Sequence, residues 1–358
     1  MKPLKHFKTI IIAINIWILL CMGNCFAISV PELVQISNKS REHLKKLPAH
    51  IVFIEETKTI FSPRTIDAIK KSGSDVEAFK AAGQETKTHN ELYLNLLTRD
   101  VKLTVKDLRD ISSLLKTYNL PAWKEKAVSL DKIMLANGPY QLTLIESKNV
   151  NDKPQLLLEK SPTFSGQSPP LLYEHLMFLG ILDERMLLSL KEPSISEEKL
   201  ENINVLRIER IKSKDGHESK RIILCLPATG YRFKSIENRY DGHLVWEMLA
   251  DDYRMVNGVP FPFAYTYKQY DYKENKLVSF RKYTVEKVEF NNTLGMDMMK
   301  IHVPKGTVLS DHALGGKQTE YSKDQDVGIK DIFNDRADKA ATEIITDPNF
   351  CKEKKSVK

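Results

Sequence analysis

From residue 205 to residue 290 the chain alternates long strand-like runs with short turn signals, and this pattern restricts the possible folds more than any other feature. Val205 to Lys212 and Lys220 to Leu226 flank Asp215-Gly216. Tyr231 to Tyr240 and His243 to Met255 flank Asp241-Gly242, and Asn257-Gly258 precedes Phe261 to Asp271. Leu277 to Phe290 then follows Lys273-Glu274-Asn275. Asp-Gly and Asn-Gly tolerate the two positive φ angles of a type I′ turn, whose twist matches that of the strands it joins. Strands connected this tightly must pair antiparallel, because a parallel partner needs a crossover of a dozen residues or more. The region is therefore a meander and not a series of βαβ units.

Upstream the pattern is mixed. Leu33, Val34, Ile36, Leu44 and Leu47 fall at helical spacing in Pro31 to Leu47, and Ala49 to Ile60 reads as a strand. Residues 63 to 89 read as polar and helical. Asn90 to Tyr118 divides into a strand (Tyr93 to Val105) and a helix (Val105 to Tyr118), so a partly helical insertion is expected near 63–118. Lys132 to Glu146, broken at Asn137-Gly138-Pro139, reads as a hairpin, and Gln155 to Glu159 as a further strand. Pro169 and Pro170 open a helix over Leu171 to Lys191 that is apolar on more than one side, as in a helix packed between layers or capping a concavity.

The N-terminus carries a targeting signal. Lys2, Lys5 and Lys8 precede the apolar run Ile10 to Leu20, and Cys25 and Ala27 provide small residues for a cut after Ala27. Residues 1–27 are thus expected to be a signal peptide, with an uncleaved anchor and a lipoprotein cut before Cys21 or Cys25 as alternatives. Export places the remainder in the periplasm or another extracytoplasmic space. Removing the leader lowers the formal charge of the 358-residue chain from +7 to +4, with acids and bases interleaved, so no nucleic-acid partner is implied. A mean hydropathy of −0.35 excludes a protein of many membrane spans. Cys225 and Cys351 remain after processing, able either to pair in an oxidising compartment or, for Cys225, to serve as a small buried hydrophobe.

No catalytic constellation is found. His175, His217, His243, His302 and His312 are scattered, with no His-x-His, no His-Glu-x-x-His, no Gly-x-Ser-x-Gly and no phosphate loop. Asp251-Asp252 and the group Asp324, Asp326, Asp331 and Asp335 lack the spacing of a calcium loop and read as solvated turns. No cofactor or metal is expected, and the chain is not read as an enzyme.

Strand parity does point to a binding face. Phe261, Phe263, Tyr265 and Tyr267 share one face of their strand, and Leu244, Trp246 and Met248 share one face of the strand before it. A curved antiparallel sheet with such a face can hold an apolar ligand in its hollow, or the same residues can form a filled core.

Four segments in order resemble the LolA-like family of exported proteins that sort lipoproteins to the outer membrane. They are Leu226-Pro227-Ala228-Thr229-Gly230-Tyr231-Arg232; Val256-Asn257-Gly258-Val259-Pro260-Phe261-Pro262; the strand ending Val285-Glu286-Lys287-Val288-Glu289-Phe290; and Ile301 to Asp311. The resemblance covers roughly residues 200 to 311. It implies an α+β fold: an incomplete antiparallel β-barrel with helices packed on or capping its concave face. It also implies a hydrophobic cavity for the acyl chains of a lipid or an acylated lipoprotein, and an envelope membrane or acceptor protein as further partner. The family-like domain is expected over 28–320, with 321–358 as a partly helical or disordered tail. The alternative is a non-catalytic structural or interaction module of the envelope.

Overall fold

The structure, a computed structural model, describes residues 29, 31–33, 35, 48–95, 100–137, 140–145, 153–160, 193–290, 299–311 and 318–334. The leader, the helix expected at Leu171 to Lys191, Cys351 and most of the opening helix lie outside these residues. One run of strands comprises β1 (Ala49–Thr59), β2 (Glu85–Asn95), β3 (Asp100–Asp107), β4 (Lys132–Asn137), β5 (Tyr140–Ile145) and β6 (Gln155–Lys160). A second comprises β7 (Ser194–Leu200), β8 (Ile203–Lys214), β9 (His217–Leu226), β10 (Arg232–Tyr240), β11 (His243–Val256), β12 (Val259–Asp271) and β13 (Lys276–Phe290). Four short strands end the described chain: β14 (Ile301–Val303), β15 (Val308–Asp311), β16 (Gln318–Glu320) and β17 (Gln325–Val327).

Fifteen of these form one curved, unclosed sheet in the order β16-β15-β6-β5-β4-β3-β2-β1-β13-β12-β11-β10-β9-β8-β7, while β14 and β17 pair separately. Every pairing is antiparallel except β15 with β6. The incomplete antiparallel barrel expected from the sequence is therefore observed. The turns behave as their residues dictate: Asp215, Asp241 and Asn257 have φ of 53°, 49° and 50°, and the glycines after them φ of 80°, 79° and 79°. These are the paired positive angles of type I′ turns, and they set the registers of β8–β9, β10–β11 and β11–β12.

Alternation along each strand turns one face of the sheet inward. Ile51 and Phe53 of β1, Leu92 and Leu94 of β2, Leu103 of β3, Met134 of β4, Ile223 and Cys225 of β9 and Val285 of β13 belong to one continuous core, to which Leu33 of the opening segment adds a fully buried side chain. The alternate residues of β4 and β5 face the other way. Leu135, Leu142 and Leu144, with Leu156 and Leu158 of β6, form a second core with Ile301, Val303, Leu309, Val327, Ile329 and Ile332. The boundary drawn at residue 320 thus falls inside packed structure. Tyr321 and Phe333 also pack there, because β4–β6 carry leucines on the face away from the main core and need a cover.

The stretch 63–118 likewise differs in detail from the sequence reading. Its helices are α1 (Pro63–Lys71), α2 (Val76–Gly83) and α3 (Ile111–Thr117), followed by the single turn α4 (Glu125–Val128). Ser62, Asp75 and Asp110 cap the first three by accepting backbone N–H bonds from Thr65, Glu77 with Ala78, and Ser113. The strand expected at Tyr93 to Val105 is two strands, β2 and β3, which pair over Thr88↔Asp107 to Asn95↔Asp100.

A buried ion pair fastens the helices to the sheet. Arg109 Nη2 lies 2.7 Å from Asp107 Oδ2, the two side chains being 8% and 1% exposed. Arg109 Nη1 and Nη2 also donate to the carbonyls of Ala81 (2.8 Å) and Val128 (2.9 Å). Burial opposes ionisation of Asp107, but the Arg109 hydrogen bonds outweigh it and hold the carboxyl below its ordinary value. Arg109→Leu strands the Asp107 carboxylate and leaves those carbonyls unsatisfied. It is expected to cost about 3–5 kcal/mol of stability in denaturant unfolding, whereas a loss under about 1 kcal/mol would mean that the pair does not hold the helices in place.

Candidate functional site

The residues singled out on β11 and β12 lie where strand parity predicts, but not all in one environment. Met248, Phe261 and Tyr265 are buried in the main core, and Trp246, Phe263 and Tyr267 are half-buried against it. Met248 pairs with Tyr267 and Ala250 with Tyr265. Trp246 and Tyr267 pack with ring centroids 6.2 Å apart, and Phe261 meets Phe263 edge to face at 6.4 Å. Leu244 falls beyond a bulge between Asn238 and Arg239, where it pairs with Arg239. Cations cover the half-buried rings: Arg254 lies 4.3 Å from the Phe263 centroid, Arg221 5.8 Å from Trp246 and Arg281 5.9 Å from Tyr267. This end of the face is a tight aromatic surface under guanidinium groups.

The inner face continues across the seam between β13 and β1 and changes character there. Because opposed residues share a face, Ala250, Tyr265, Tyr283, Glu55 and Thr88 form one cross-strand row from β11 to β2. Tyr265 and Tyr283 stack at 4.4 Å. Beyond them the row turns polar: Glu55 is only 7% exposed, Thr88 4% and Asn90, two residues on, 1%.

These three side chains line a cavity of about 330 Å³, together with the apolar Leu103, Val105, Leu130 and Met134 and with Lys132 and Gln141. Glu55 Oε1 accepts from the Thr57 hydroxyl at 3.2 Å and also receives a hydrogen bond from Tyr283. Burial raises the Glu55 carboxyl above its ordinary value; the positive charge of Arg281, the Thr57 bond and Lys132 oppose this without overcoming it. The parity of the strands carried a signal for this site. In β1 the inward positions run Ile51, Phe53, Glu55, and in β2 Thr88, Asn90, Leu92, Leu94, so polar residues occupy positions that alternation assigns to the core. Sequence reasoning weighted the aromatic strands and passed over them.

A second, wider cleft of about 750 Å³ lies between the opening segment and β7–β8, lined by Glu32, Glu197, Glu198, Leu206, Pro227 and Tyr231 among others. Its rim is acidic and largely exposed. The acids near the end of the chain serve turns: Asp324 accepts from the Lys305 backbone (2.6 Å), Asp331 from Gly328 (2.9 Å), and Asp326 meets His302 (3.0 Å). Among the described residues no group of three or more His, Cys, Asp or Glu could hold a metal ion, and no helix is long and apolar enough to cross a membrane. Cys225 is fully buried on β9.

No protein-family model and no curated protein matches the sequence. Among solved structures, the chain is similar to a DUF1329 family protein from Desulfovibrio piger at 8% identity, covering 75% of this chain and 95% of that one with a TM-score of 0.37. It is also similar to a LolA superfamily protein from Nitrosomonas europaea at 8% identity, covering 74% and 95% with a TM-score of 0.35.

The raised Glu55 carboxyl has a consequence for stability. A folded pKa above the unfolded one means that the native state binds the proton more tightly. This group therefore makes stability fall as pH rises through and above its ordinary value of 4.5. Glu55→Gln keeps the acceptor for Tyr283 and Thr57 and removes the buried charge. The variant should melt at a higher temperature than the parent at pH 7, with the gap closing towards pH 4. Thermal melts at the two pH values check this, and an equal gap at both would mean that Glu55 does not titrate abnormally.

Proposed function

We propose that this protein is an exported, non-catalytic carrier that binds a lipid or the acyl chain of a lipoprotein on the inner face of its open sheet, as a component of outer-membrane lipoprotein sorting. The observation that carries this reading is the 330 Å³ cavity among Leu103, Val105, Leu130 and Met134 in the face of an unclosed sheet. The four motifs between Leu226 and Asp311 and the leader ending at Ala27 support the same reading. The half-buried Trp246, Phe263 and Tyr267, with Leu244 and the buried Met248, Phe261 and Tyr265, extend the proposed binding face. Tyr267 joins the cavity through the row Tyr267, Arg281, Thr57 and Thr86, three steps of about 4.8 Å.

Capture needs no nucleotide. Each methylene moved from water into the cavity is worth about 0.8 kcal/mol, so a few enclosed methylenes support useful affinity after the cost of immobilisation. Release then requires an acceptor offering a better-matched apolar site.

A second reading, a structural module with a filled face, is favoured at one end of the sheet by the burial of Phe261 (1% exposed) and Tyr265 (2%). The two readings part at the cavity. Native mass spectrometry of protein purified gently from its own envelope should show a stoichiometric lipid or acylated peptide. A fluorescent fatty-acid probe should bind the delipidated protein, and the half-buried Leu130→Trp should weaken that binding about tenfold or more by occupying the space. Protein that is empty and takes up no probe would leave the structural module as the account.

A further inference from the structure

Burying polar groups at the base of an apolar cavity is costly unless something pairs with them, and one group here has no partner among the described residues. Asn90 is 1% exposed, and its Nδ2 donates to Thr88 Oγ1 at 2.9 Å and to the Thr88 carbonyl at 3.4 Å. Because that carbonyl can only accept, the contact assigns nitrogen to that end of the amide. The other end, Oδ1, is buried with no hydrogen-bond partner among the described residues. Asn90 and Glu55 line the same cavity. The Glu55–Asn90 part of the lining, its floor, thus offers acceptors, the carboxyl of Glu55 and the amide oxygen of Asn90, beside the apolar Leu103, Val105 and Met134 of the next two strands.

The charges around this floor restrict what can sit there. Glu55 already has Arg281 and Lys132 acting on it, two cations for one carboxylate. A ligand ammonium would add a third positive charge; a ligand carboxylate or phosphate, though attracted by the two cations, would set its acceptors against the oxygens of Glu55 and Asn90. An uncharged donor, a hydroxyl or an amide N–H, satisfies Asn90 Oδ1 and adds no charge. The terminal torsion of an asparagine is soft, so a small rotation brings Oδ1 towards the ligand.

We propose that the Glu55–Asn90 floor is a polar subsite that selects amphiphiles carrying an uncharged hydrogen-bond donor, a hydroxyl or an amide N–H, next to the acyl chain. This assignment rests on the lipid-binding reading above and names the chemical class of its ligand. Asn90 binds the donor, Glu55 lies beside it as a second acceptor, and the apolar walls enclose the first part of the chain.

The test compares decanamide with methyl decanoate, which has the same acyl group and can accept but not donate. Both displace a fluorescent fatty-acid probe from the delipidated full chain. Wild-type protein should bind the amide about tenfold more tightly than the ester. Asn90→Leu should bring the two within about twofold of each other, and thermal melting establishes that the variant is folded. The wild-type comparison stands alone if Asn90→Leu does not fold. Equal binding of amide and ester by wild-type protein, or a preference that survives in folded Asn90→Leu, overturns the subsite and leaves the lipid-binding reading in place. If neither compound nor the probe binds, the lipid-binding reading fails as well.

Discussion

The architecture depends on a single seam. Strands β1 to β6 and β7 to β13 each pair largely with their neighbours in sequence, and among the described residues the two runs pair with one another only where β1 meets β13, from Ala49↔Phe290 to Thr59↔Ser279. Closing that seam brings together segments more than 200 residues apart. The entropic cost of such closure grows only slowly with loop length, but contacts inside the seam must offset it. Phe53 opposite Val285, Ile51 opposite Val288, and Phe53 packed against Tyr283 with ring centroids 6.1 Å apart provide apolar contact there. A bulge between Val52 and Phe53 shifts the register at this point. Glu55, opposite Tyr283, is the one carboxylate buried in the inward row of the seam.

Much of this was legible in the sequence, for physical reasons that differ from strand to strand. The meander β8 to β13 was readable because type I′ turns have a narrow chemistry: Asp215-Gly216, Asp241-Gly242 and Asn257-Gly258 leave few alternatives. The hairpin β4–β5 and the strand β6 were readable by the same logic. The split of 85–107 into β2 and β3 was not, because no Gly or Pro punctuates residues 95–100; the one local sign is a change of phase, from Leu92 and Leu94 at even positions to Val101, Leu103 and Val105 at odd ones. The packing of 321–334 was hidden differently. Val327, Ile329 and Ile332 are too few to form a periodic signal, and become core only because β4–β6 present leucines to them. Pairing β15 beside β6 in parallel is a long-range event that no local pattern announces.

The candidate site shows where reading by residue type and reading by parity diverge. Aromatic and Met-rich strands draw attention as ligand surfaces, but large apolar residues are also what fills a core, and Phe261 and Tyr265 are buried in this one. Glu55 and Asn90 looked like ordinary polar residues of half-exposed strands until the register placed them in line with Phe53 and Leu92. A polar residue on core parity is the stronger sign of function. It lowers stability and is tolerated only where a network, a solvent path or a ligand answers it.

That reasoning also explains how one sheet can be both filled and open. On the β11–β12 side the face is filled by packed aromatics, with Arg221, Arg254 and Arg281 lying over the half-buried Trp246, Phe263 and Tyr267. On the β2–β5 side the inward residues shorten to Thr88, Asn90 and Val105, and a cavity remains. The transition occurs within one row, between Tyr283 and Glu55, where the tyrosine donates its hydroxyl to the carboxyl. The stacked tyrosines, both buried, stand in this row between the acceptor and the packed end. On the proposed reading an amphiphile in the cavity would meet Leu103, Val105, Leu130 and Met134 along its chain and the oxygens of Glu55 and Asn90 at its head, so affinity would come from the first set and discrimination from the second.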